Sequence, residues 1–206
     1  INYINIMNRI DGFFTENIEQ FSQSYFSYLK EIIDKVDLSE IKIFVELLLS
    51  ARKSGATIFF IGNGGSAATA SHFANDLAFG THEHEKPFKA ISITDNVSVL
   101  TALGNDYGYG EIFVRQLKVY AKKGDVVVGI SASGNSQNLI SAFNYAKSSG
   151  IKTMALTAFD GGRMKVIADN CIHIPTEDKE YGPAEDVHMI LDHLISSYLM
   201  RILRSA

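Results

Sequence analysis

Hydrophobic and polar residues change rhythm twice along this chain. From Tyr3 to about Lys35, apolar side chains (Ile10, Phe13, Phe14, Ile18, Phe21, Tyr25, Tyr28, Leu29, Ile32) return at helical spacing with polar residues between them, which predicts one long helix. A second helical pattern spans Leu38 to Ser54. The texture then shifts to short, nearly continuous apolar runs: TIFFI (57–61), KAISI (89–93), DVVVGI (125–130), KTMAL (152–156) and CIHIP (171–175). Helical patterns fill the gaps between them. A strongly amphipathic segment follows from about Pro183 to Leu203, with Glu185 and Asp186 in its first turn, where carboxylates favour the helix dipole. Runs that are apolar on both faces and alternate with helices belong to right-handed βαβ units. The pattern therefore predicts an α/β fold: a doubly wound, five-stranded parallel sheet flanked by helices, behind long N-terminal helices. Only Pro87, Pro175 and Pro183 interrupt the chain and no Ser/Gly linker divides it, so residues 1–206 read as one domain, a helical region over 1–55 and an α/β core over 56–206.

In open α/β sheets ligands bind beyond the carboxyl ends of the strands. Two such segments stand out. After TIFFI comes Gly62-Asn63-Gly64-Gly65-Ser66-Ala67-Ala68, where missing side chains let backbone amides approach an anion at a helix N-terminus. It also satisfies G-x-G-x-x-A, a dinucleotide pattern that is weak on its own. After DVVVGI comes Ser131-Ala132-Ser133-Gly134-Asn135-Ser136, whose hydroxyls can donate to phosphate oxygens beside backbone amides. Either loop alone could be a cap or tight turn. The two together, on strands expected to be neighbours, point to a bound phosphate.

Composition narrows the chemistry. A 206-residue chain that is 46% hydrophobic and 20% charged can bury a sizeable core, which excludes a disordered protein. Its formal charge of −4 gives no general attraction to nucleic acid or anionic lipid. No apolar stretch approaches the ~20 residues of a membrane span, and INYINIMNRIDGFF lacks a basic region followed by an apolar one, so a cytoplasmic location is expected. With Cys171 as its one cysteine, the chain has neither an internal disulfide nor a multi-thiolate zinc centre; a metal would need His and carboxylate ligands.

The six histidines are unequal in this respect. His72 and Asp76 are four apart on the helix that leaves the first loop and share a face. On the final helix, periodicity alone places Asp186 and His193 seven apart on one stripe, rotates Glu185 away, and makes His188 and Asp192 another pair. Such spacing leaves open whether these are ligands or surface residues. Asp192 beside His193 reads as solvated charge, His82 and His84 in THEHEKP as a solvated loop, and His173 as core or sheet surface.

Four separated segments, GNGGSAATASHFANDL, LGNDYG, GISASGNS and EDVHMILDH, resemble in order and interval the signature segments of the phosphoheptose isomerase family within the sugar isomerase (SIS) superfamily. The resemblance covers nearly the whole chain. It implies a SIS fold and a cytoplasmic homotetramer, with the N-terminal helices used in oligomerisation. It also implies isomerisation of sedoheptulose 7-phosphate to D-glycero-D-manno-heptose 7-phosphate for bacterial surface-polysaccharide heptose. Carried over by motif, Asn63, Gly64, Gly65, Ser66, Asn105, Asp106, Ser131, Ser133, Ser136 and Glu185 would contact the sugar phosphate. His72, Asp76, Glu185 and His193 would hold one zinc per subunit, and Asp76 and His193 would move protons through an enediol. The final-helix carboxylate implied by the resemblance is thus Glu185, where periodicity selects Asp186.

The chain departs from the family's usual residues at four places: Asp76 stands for Glu, Glu185 for Gln, Ala132 for Thr, and Gly80 for Arg. A shorter carboxylate at position 76 alters reach, and an added charge at 185 should strengthen divalent-metal binding. Two other readings fit the same motifs: a non-catalytic sugar-phosphate-binding regulator, and an isomerase of a different phosphosugar.

Overall fold

The computed structural model describes residues 8–82 and 85–204. The start of the first predicted helix, Tyr3 to Met7, and His84 lie outside the described residues. Five strands, β1 (Thr57–Gly62), β2 (Lys89–Ser92), β3 (Val126–Ser131), β4 (Lys152–Thr157) and β5 (Asn170–His173), form one sheet in the order β2-β1-β3-β4-β5. Every pairing is parallel. Four strands lie within one residue of their apolar runs, and β5 starts one residue before its run and ends two short of it at His173.

Alternation within a strand divides the core into two layers. Ile58 and Phe60 of β1 and Val128 and Ile130 of β3 pack on one face with Phe44, Phe73 and Leu191. Phe59, Ile61 and Val127 pack on the other with Phe113, Leu117 and Phe143. Helices α3 (Leu38–Ser54), α4 (Gly65–Asn75) and α9 (Tyr181–Arg204) cover the first face. The second is covered by α5 (Val97–Tyr107), α6 (Ile112–Tyr120), α7 (Gln137–Ser148) and α8 (Gly162–Ile167).

The structure corrects the expectation of one continuous helix up to Lys35. It holds a short α1 (Arg9–Phe13) and a separate α2 (Ile18–Ile33). Asn8 and Asp11 make a capping box at the start of α1, and the Asn17 side chain accepts from the Glu19 and Gln20 amides at the start of α2. Apolar periodicity runs across the break because Phe13 and Phe14 on one side both pack against Phe21 on the other. α3 has the predicted bounds, and left-handed Gly55 ends it.

A buried carboxylate ties α2 to the segment that enters α9. Glu180, 1% exposed, accepts from the Tyr28 hydroxyl, from the Ile10 amide at 3.2 Å and from the Glu177 amide at 3.2 Å. The Tyr25 hydroxyl donates to Asp186 at 2.6 Å. Asp186, the carboxylate favoured by periodicity, is therefore engaged by α2.

Candidate functional site

The chain leaves β1 toward β2 and β3 toward β4, on opposite sides, so the adjacent ends of β1 and β3 form a switch point where a crevice opens. Both small-residue loops are there. Gly64 turns the first into α4 with φ 54° and ψ −125°, a conformation that side chains oppose. In the second, Gly134 (φ 61°) presses so closely on the Gly161 carbonyl that a Cβ has no room. Neither α4 nor α7 is capped by a side chain, so the positive ends of two helix dipoles face the same crevice.

The cleft measures about 130 Å³ and is lined by Asn63, Ser66, Ile130, Ser131, Ala132, Ser133, Ser136, Tyr181 and Glu185. Asn63, Ser66, Ser131, Ser133, Ser136 and Glu185 of the expected sugar-phosphate set are thus brought together. The Ser131 and Ser133 hydroxyls accept from the Gly134 and Asn135 amides at 3.1 and 3.3 Å, which fixes both oxygens toward the loop. Asn105 and Asp106 are elsewhere: they are exposed near the end of α5, where the Asn105 amide donates to Asp106 at 2.9 Å, and do not line the cleft.

Sequence reasoning missed three residues here. Asn138, buried on α7, donates to Asn63 Oδ1 at 2.8 Å and accepts from Asn63 Nδ2 at 3.0 Å. The Tyr109 hydroxyl donates to the same Asn63 oxygen at 2.8 Å. Tyr181 walls the cleft at the start of α9. An Asn in the first turn of a helix carries no signal in one sequence that separates it from a solvated one.

From this cleft α4 and α9 run side by side in the same direction. The Glu185 carboxylate lies against Gly65, and seven to eight residues further along His72 meets His193, with Nε2 atoms 3.1 Å apart. Two turns of helix put the second meeting point about 10 to 12 Å from the first. His72 Nε2 is also 3.6 Å from Asp76 Oδ2, which Ser196 Oγ approaches at 3.5 Å. Asp76 starts a single π turn, Asp76–Gly80, a local widening of the kind that accompanies functional positions.

Asp192 completes this group. One ligand atom from each of His72, Asp76, Asp192 and His193 lies within 4.8 Å of the others. The expectation that Asp192 is solvated is overturned: it is fully buried, and neither carboxylate oxygen has a hydrogen-bond partner. His188, one turn earlier, is likewise buried with both ring nitrogens unpartnered. Burial, reinforced by the facing Asp76, pushes the Asp192 carboxyl up to about 8, and burial pushes the His188 ring down to about 4 despite the Thr157 backbone. Glu185 does not belong to this cluster; burial and then Asp186 raise its carboxyl above the usual range. His173 is half-buried on β5, as expected.

Two imidazoles and two carboxylates are a donor set suited to zinc and other first-row divalent ions. Ligands on tetrahedral zinc stand about 3.3 Å apart, given bonds near 2.0 Å. The 3.1 and 3.6 Å separations at His72 bracket that spacing. Together the cleft and the cluster can hold an anionic group at one end of a small molecule and move protons at the other. Among the described residues no helix is long and apolar enough to cross a membrane.

The SIS domain family model matches residues 20–158. The phosphoheptose isomerase of Helicobacter pylori (strain P12) is 37% identical over 187 residues, spanning 89% of this chain and 96% of that protein. Its counterpart from Clostridium acetobutylicum is 39% identical over 158 residues, spanning 77% and 80%. The solved structure of phosphoheptose isomerase from Neisseria gonorrhoeae superposes with a TM-score of 0.80 at 30% identity, over 88% of this chain and 97% of that one.

Proposed function

Because the chain belongs to the phosphoheptose isomerase family of SIS-domain proteins, and so is a phosphosugar isomerase, we propose that it interconverts sedoheptulose 7-phosphate and D-glycero-D-manno-heptose 7-phosphate through an enediol. The observation that carries this reading is the parallel pairing of α4 with α9, which joins an anion-ready cleft at one end to a His/carboxylate cluster two turns away.

The phosphate is held at the cleft by the first amides of α4 and α7 and by Ser66, Ser131, Ser133 and Ser136. Its binding energy is then spent on orienting the distant reacting carbons. Asp76 takes the C1 proton of the ketose, and the electron pair forms the C1–C2 double bond as the C2 oxygen gains a proton. His193 moves the proton between the two oxygens. Protonation at C2 and closure of the C1 carbonyl then give the aldose, with no net gain or loss of atoms. A divalent cation, when bound by His72, Asp76, His193 and a further carboxylate, supplies Lewis-acid polarisation of the carbonyl and diol oxygens.

This reading includes a cytoplasmic homotetramer built through residues 1–55. Phe14, Ile18 and Phe26 of that region are exposed, as are Val97 at the start of α5 and Tyr107, Val119 and Tyr120 around the groove between α5 and α6, which supports self-association. Light scattering measures it directly.

Incubation with sedoheptulose 7-phosphate, followed by NMR for the aldose, tests the reaction. Turnover by the unaltered chain and its loss in His193→Ala are expected. Binding without turnover would instead identify a sugar-phosphate-binding regulator, and turnover only of another ketose phosphate would reassign the substrate.

A further inference from the structure

We propose that Asp192, and not Glu185, is the second carboxylate that holds a divalent cation together with His72, Asp76 and His193. The inference rests on the metal-assisted reading above and changes its ligand set.

Two independent observations carry it. First, the ligand atoms of His72, Asp76, Asp192 and His193 lie within 4.8 Å of one another, and Glu185 is not among them. The Glu185 carboxylate lies at the other end of the paired helices, against Gly65 and in the wall of the cleft. Second, Asp192 is removed from water with both oxygens unpartnered, although it is aimed at a group that already contains Asp76. An unpaired buried carboxylate facing a second one is costly, and a shared divalent cation removes both penalties at once. Asp192 and His193 stand about 100° apart around α9, so one ligand reaches the cation from the buried side and the other from the solvent side.

The chemistry follows from charge. Two carboxylates and two imidazoles balance a divalent ion, and Asp192 supplies the second carboxylate without drawing Glu185 out of the cleft wall. Glu185 is then free to face the substrate from the cleft wall.

The test uses full-length protein stripped with a chelator and titrated with Zn²⁺ and Co²⁺, read by calorimetry and by cobalt visible absorption. One ion per chain is expected for the unaltered protein. Asp192→Asn should weaken binding at least tenfold and change the cobalt spectrum, whereas Glu185→Ala should stay within about threefold. Asp192→Cys supplies a direct probe: a sulfur ligand at this position gives a thiolate-to-cobalt charge-transfer band. Unchanged affinity in Asp192→Asn, a tenfold loss in Glu185→Ala, or absence of that band in folded, cobalt-loaded Asp192→Cys overturns the assignment while leaving a metal site in place. Failure of the unaltered protein to bind either ion overturns the metal reading itself. Circular dichroism and melting of each metal-free variant establish that it is folded.

Discussion

The amides of Asn63 and Asn138 exchange two hydrogen bonds across the switch point of the sheet, at 2.8 and 3.0 Å. The pair locks the loop after β1 to the first turn of α7, so both sides of the proposed phosphate cleft are set by one contact. In Asn138→Leu, Asn63 keeps only the Tyr109 hydroxyl. The expected cost is about 1–3 kcal/mol in urea unfolding, the range for stranding a half-buried polar group. Steady-state kinetics should show KM for the sugar phosphate rising more than kcat falls; an unchanged KM contradicts the role.

Gly65 faces a different constraint. A Cβ at this position would overlap the Glu185 carboxylate. Gly65→Ala therefore forces Glu185 out of the cleft wall while leaving the apolar core untouched. We expect kcat/KM to fall at least tenfold, about 1.4 kcal/mol of transition-state stabilisation, with an unaltered circular dichroism spectrum. Restoring space with Gly65→Ala/Glu185→Ala should not restore the rate if the carboxylate acts on substrate.

The acid–base behaviour of metal-free protein should show two opposed linkages. His188 is lowered to about 4, so below its ordinary range the unfolded state binds a proton that the folded state does not. Its contribution rises with pH from about 4 to 6.5. Asp192 is raised to about 8, so its folded form holds a proton that the unfolded form has lost, and its contribution falls as pH rises from about 4 to 8. Between about 4 and 6.5 the two slopes, each about 1.4 kcal/mol per pH unit, cancel; above 6.5 stability declines. Urea unfolding across pH 4–8 in chelator should show this profile. His188→Met should decline throughout and Asp192→Asn should rise up to about pH 6.5; identical curves for all three proteins refute the account.

Tyr28 gives the fold a separable test. Its hydroxyl donates to the buried Glu180, which also receives the Ile10 and Glu177 amides. Tyr28→Phe removes a bond to a buried charged acceptor and should cost about 1.5–3 kcal/mol by urea unfolding. Tyr25→Phe, whose partner Asp186 is exposed, should cost less.

Much of this architecture was written in residue spacing. Apolar runs located all five strands: the three central ones are apolar on both faces, and the edge strands β2 and β5 still carry short β-rich runs, while the two loops announced themselves by composition. Periodicity overran the break between α1 and α2, since three phenylalanines bridge it, although Asn8 and Asn17 were legible caps. The residues lining the cleft were largely readable and the cluster only in part. His188, Asp192 and Ser196 recur every four residues and are all buried, so a stripe of polar residues lies where α9 packs. A hydropathy pattern assigns that stripe to solvent. Only the packing of α9 on α4 shows otherwise.

The meeting of His72 with His193 also bears on how the molecule comes together. The partners are 121 residues apart in sequence, with four of the five strands added between α4 and α9. Closing so long a loop is entropically late, so the cluster is absent until α9 docks on a finished sheet. A partly assembled chain can carry a formed first loop and still offer a cation only the His72 and Asp76 half of the cluster. Under the proposed metal reading, capture of an ion is a readout of completed folding, and its loss marks chains whose last helix has come away.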